Sequence, residues 1–84
     1  MGRKNKLGSL TNKVRPGTLW ICINTDIIVI DNRLSNIQQG DFIIVISIEK
    51  TVYPDDFVVN AYSQKMNRYF STPLEYFYTN YRKT

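Results

Sequence analysis

The chain has 84 residues, of which eleven are basic and seven acidic, giving a net charge of +4; it holds one Cys and no His. Its length allows one domain with a small core. A single cysteine rules out an internal disulfide, and one Cys without His cannot supply a Cys/His zinc site from one chain.

The charge is not evenly spread. Residues 1–15 carry five basic residues and no acidic one, whereas residues 16–81 carry four basic against seven acidic, a net of −3. Arg82 and Lys83 add a basic tip. The division predicts a basic N-terminal arm over residues 1–15 and a mildly acidic folded domain over residues 16–84. An apolar fraction of 43% and an aromatic fraction of 13% suit a packed domain rather than a disordered one. Lone-cysteine usage favours an intracellular setting. Met1-Gly2 with Lys6 does not match a myristoylation start, and no apolar run follows the basic segment as in a secretory signal. The longest apolar stretches are too short for a membrane-spanning helix, so no membrane partner is expected.

In chain order, Pro16-Gly17 opens the domain. Thr18–Ile23 and Ile27–Ile30 are apolar, β-branched runs separated by the turn-like Asn24-Thr25-Asp26, and read as a hairpin. Such continuous apolar runs indicate strands buried on both faces, or on one face with a partner covering the other. Residues 31–39 read as a connector from which Leu34 and Ile37 reach the core. Phe42–Ile48 is the strongest strand, with Phe42, Ile44, Ile46 and Ile48 on one face and Ile43, Val45 and Ser47 on the other. Residues 49–56, with Pro54 and Asp55-Asp56, form a loop. Phe57–Tyr62 is a fourth strand and Arg68–Ser71 a short fifth. Thr72-Pro73-Leu74-Glu75 reads as a capping box with proline in the first turn. The helix it starts runs to about Tyr81, with Leu74, Phe77, Tyr78 and Tyr81 on its inner face.

Five short strands in this length predict an all-β fold, a small five-stranded barrel with a basic arm and a short C-terminal helix. The stretch Leu34-x-x-Ile37-x-x-Gly40-Asp41-Phe42-x-Ile44-x-Ile46 resembles a recurring pattern of SH3-like barrels, in which a turn ending in Gly-Asp feeds a buried alternating strand. The resemblance spans about residues 17–75 and implies an SH3-like barrel. The acidic and aromatic features with which SH3 domains grip proline-rich peptides are missing. So is a KOW-type glycine pattern, since the domain holds only Gly17 and Gly40. Neither ligand class carries over. An OB-fold is the competing architecture.

Catalysis is not expected: there is no His, no glycine-rich phosphate loop, and the acidic residues sit where turns explain them. Cys22 alternates with Trp20 within a strand and reads as a buried, inert thiol. No cofactor and no small-molecule substrate are implied. The expectation is a binding module that attaches to a larger protein assembly or oligomer through its arm and a barrel edge. The Asn-, Ile-, Lys- and Tyr-rich composition is that of many small bacteriophage proteins, so a phage accessory or virion component is one setting. The alternative is nucleic-acid binding, with cations releasing counterions from phosphates and exposed tyrosines stacking on bases. Either way the residues expected to meet the partner are Arg3, Lys4, Lys6, Lys13, Arg15, Lys65, Arg68, Tyr69, Arg82 and Lys83.

Overall fold

The computed structural model describes residues 14–51 and 56–84. Within them the elements are β1 (Leu19–Cys22), β2 (Asp26–Ile30), β3 (Arg33–Ile37), β4 (Phe42–Lys50), β5 (Phe57–Ser63), β6 (Arg68–Pro73), α1 (Leu74–Asn80) and β7 (Tyr81–Lys83). The fold is all-β with one short helix. Five strands form an antiparallel sheet in the order β6-β5-β4-β1-β7, and β2 and β3 form a separate hairpin. The expected closed five-stranded barrel does not form. The sheet keeps two ends, β6 and β7, and the hairpin lies beside β6 with no ladder joining them.

The expected pairing of β1 with β2 is replaced, for a local reason. Asp31 and Asn32 have φ values of 53° and 62°. Two successive residues with positive φ make a two-residue type I′ turn, whose twist matches that of the flanking strands. The segment expected to be a connector therefore holds β3, paired with β2 from Ile30↔Arg33 to Asp26↔Ile37. Its sequence, RLSNI, is mostly polar because only Ile37 reaches the core, while Leu34 stays 77% exposed. With β2 engaged, β1 pairs instead with β4 and β7.

Between Val45 and Ser47 the register of β4 shifts, leaving Ile46 as an extra residue against β5. A bulge of this kind reverses the inward and outward faces beyond it. Ile43 and Val45 point inward opposite Ser63 and Ala61, then Ile48 points inward opposite Val59. The simple alternation expected of this strand, with Phe42, Ile44, Ile46 and Ile48 on one face, is thus broken at Ile46. The turn before β4 matches its sequence: Gly40 has φ 93°, the Asp41 N–H donates to the Gln38 carbonyl, and Asp41 Oδ2 accepts from the Gln38 N–H at 3.0 Å. That geometry favours glycine in the third position of the turn.

Helix α1 closes the inner side of the sheet. Leu74 and Phe77 are buried and Tyr78 packs at the margin, as the helical spacing predicts. Phe77 is the hub: its ring lies 4.7 Å from Trp20, edge on, and 4.9 Å from Tyr81, stacked. The capping box is not made. Thr72 is buried within β6, Pro73 takes the N-cap position, and no side chain caps the helix. Tyr81 is not helical either. It starts β7, where it still points into the core, opposite Cys22.

The turn supplies a stability test. Asn32→Val puts a β-branched residue into the left-handed region and should lower unfolding stability by roughly 1–2 kcal/mol. Asn32→Gly should leave it unchanged or raise it. Urea unfolding midpoints measure both, and equal midpoints for the two variants would contradict the turn.

Candidate functional site

Strand β2 explains only half of its own sequence by burial. Asp26 and Ile28 face the core, whereas Ile27 and Val29 face outward and are 68% and 61% exposed. Leu34 stands opposite Val29 on the partner strand. Between β2 and β6 lies an open groove of about 810 Å³, with Ile27, Val29, Arg68, Tyr69, Ser71 and Tyr76 among its lining residues. Tyr69 and Tyr76 are both exposed there. An ion pair of 2.7 Å between Arg68 and Asp31 ties the hairpin turn to β6 and neutralises both charges at that end of the groove.

The apolar surface continues onto the outer face of the sheet. The registers place Leu19, Ile44, Tyr62 and Tyr69 in one row across β1, β4, β5 and β6. Tyr62 and Tyr69 meet with ring centroids 5.0 Å apart, and the Tyr62 hydroxyl is held by Asn67. Phe42 and Ile46 are exposed beside this row. Further along the face the chemistry turns polar, where Asn60 binds Ser47 at 3.0 Å and Glu49 at 2.7 Å and accepts from Ser71.

The residues singled out from the sequence do not form one cluster. Arg3, Lys4, Lys6 and Lys13 lie outside the described residues. Arg15 is exposed at the entry to the domain, where its carbonyl accepts from Thr18. Lys65, in the turn between β5 and β6, pairs with Asp41 at 3.6 Å and reaches Gln38. Arg68 and Tyr69 line the groove. Arg82 and Lys83 sit on β7, at the other end of the sheet. Ile27, Val29, Leu34 and Tyr76 complete the apolar surface; Tyr76 is one of the tyrosines expected to be open to a partner, Leu34 is expected in the core, and Ile27 and Val29 are the two that the sequence reading misses. Their trace in the sequence is the unbroken run IIVI, apolar on both faces although only one is needed for the core.

The buried polar groups serve the fold. Asp26 is 4% exposed and accepts from the Tyr81 hydroxyl at 2.9 Å and from Asn80 Nδ2 at 3.2 Å. Burial, then the adjacent Asp26 carboxylate, raises the Tyr81 phenol above its ordinary value, so it remains a donor. The Cys22 thiol is buried and donates to the carbonyls of Asn24 and Ile37. Its pKa is raised, first by burial and then by Asp26 and Asp41. Among the described residues no group of three or more His, Cys, Asp or Glu could hold a metal ion, and no helix is long and apolar enough to cross a membrane.

Two measurements follow from these buried groups. Cys22 should react with a thiol reagent at pH 8 at least tenfold more slowly in the native protein than in urea, and equal rates would contradict its burial. Tyr81→Phe should cost about 1–3 kcal/mol, because Asp26 loses one of its two donors while buried. The raised phenol also sets a pH dependence. Above about pH 10 an unfolded tyrosine ionises while Tyr81 in the native state does not. The native state then binds the extra proton, so stability falls as pH rises from there. That alkaline slope should be shallower in Tyr81→Phe, read from thermal melts between pH 9 and 11.

Compared with known proteins, the chain matches no protein-family model, no curated protein and no solved structure.

Proposed function

We propose that the protein is a non-enzymatic binding module that attaches to a partner protein within a larger assembly. The observation that carries this reading is the unburied apolar surface formed by Ile27, Val29, Tyr69 and Tyr76 around the groove and continued by the Leu19–Tyr69 row. Contiguous exposed apolar surface marks interaction sites, since covering it contributes roughly 25 cal/mol per Å². Its aliphatic side chains fit a protein surface better than stacked bases. The nearby cations also favour protein over nucleic acid: Arg68 and Lys65 are engaged by Asp31 and Asp41. The basic arm is a further point of attachment to an acidic surface of the same assembly. A phage particle is the setting that the composition favours. The turn at Gly40-Asp41 feeding β4 is the feature that supports a local resemblance to SH3-like domains, without their closed barrel.

The test is site-specific photocrosslinking in the native host, with the reactive group at Val29 or Tyr69 and a control at Glu75. Both groove positions should crosslink to the same protein, and the control should not. A crosslink to nucleic acid, or a tenfold loss of oligonucleotide affinity in the full chain on Tyr69→Ala, would replace this reading with the nucleic-acid one.

A further inference from the structure

We infer that the free edge of β7 is a second attachment site, which takes an extended acidic segment of a partner protein as an added strand. The site lies at the opposite end of the sheet from the groove, and it deepens the proposed binding role by naming the chemistry of one partner segment.

The main chain defines the edge. Among the described residues β7 pairs with β1 on one side only. The Ile23 N–H donates to the Asn80 carbonyl at 2.7 Å, Arg82 stands opposite Ile21, and the Thr84 N–H donates to the Leu19 carbonyl at 3.2 Å. In an antiparallel ladder successive residues direct their amides and carbonyls to opposite sides. Asn80, Arg82 and Thr84 thus face β1, and Tyr81 and Lys83 face away from it. The Tyr81 N–H is already bonded to the Phe77 carbonyl. This leaves the Tyr81 carbonyl and both the N–H and carbonyl of Lys83 directed at the open edge. Groups at this spacing are matched by another peptide backbone, which selects a peptide over a phosphate chain or a small molecule.

The side chains define the sequence that fits. Arg82 lies opposite Ile21, on the outer face of the sheet, and Lys83 lies opposite Trp20, on the inner side. Both are exposed, and among the described residues neither is in an ion pair, unlike Lys65 and Arg68. An added strand with two consecutive acidic residues projects one carboxylate to each face and so meets both cations. Charged residues on a short edge also keep unwanted strands away. The two effects are one device: cations that repel basic strands, and that lose hydration without compensation under neutral ones, favour an acidic strand.

The experiment uses the full chain and a labelled synthetic peptide, Thr-Ile-Glu-Asp-Ile-Thr, followed by fluorescence anisotropy. The acidic peptide should bind at least tenfold more tightly than its Lys-Lys counterpart. The double variant Arg82→Glu, Lys83→Glu should reverse that preference. N-methylation of the peptide amides that face the edge should abolish binding, and the Lys83 amide should shift in NMR spectra when the unmodified peptide is added. Equal binding of the acidic and lysine peptides, or no binding of either, would overturn the inference. So would undiminished binding of the N-methylated peptide, which would mean charge attraction without a ladder. Val29→Asp should leave peptide binding intact, and its loss there would show that no separate edge site exists. Crosslinking at Val29 reads the groove independently, so either site can fail without the other.

Discussion

Tyr81 is the joint on which the arrangement rests. Its ring stacks on Phe77, the centre of the aromatic core, and its hydroxyl holds the buried carboxylate at the start of β2. Its backbone begins β7 and takes the end of the helix, since its N–H bonds to Phe77. One residue thereby fixes the helix, the last strand and the hairpin to one another. Hydrogen bonds to a charged group are stronger than average, and a buried carboxylate left without them is costly. The hairpin has no ladder to the main sheet. Its position depends on Asp26, on Ile28 and Ile37 in the core, and on the Asp31–Arg68 pair at its turn.

That mode of attachment has a functional consequence. A strand held by side chains rather than by a ladder leaves a seam, and here the seam is the groove beside β6. The open sheet likewise keeps two ends that a closed barrel would remove. One end carries apolar side chains and a neutralised ion pair, and the other carries two exposed cations on a short strand, with no ion pair to either among the described residues. The two ends therefore differ in chemistry, one apolar and the other cationic.

The bulge at Ile46 shows how a local irregularity distributes the apolar residues. Without it, the alternation of Phe42–Ile48 would send one set wholly inward. With it, Ile43, Val45 and Ile48 serve the core, while Phe42 and Ile46 are left outside next to the Leu19–Tyr69 row. The strand thus supplies both the core and the outer apolar surface.

By itself the sequence determined the all-β class, the strongly apolar β4, the inward face of α1 and the burial of Cys22, because each follows from local periodicity. It also held a trace of the site: the run Ile27–Ile30 has more apolar side chains than one buried face requires. Only the tertiary structure decided which strands pair. The type I′ turn at Asp31-Asn32 takes β2 away from β1, and the mostly polar β3 has no periodicity to announce it. Tertiary packing also outcompeted the local signal at Thr72: drawn into β6 opposite Val59, it is buried and does not cap the helix. Pairing depends on which edges remain free once the core has formed. That is a property of the whole packed chain, and no single window of residues contains it.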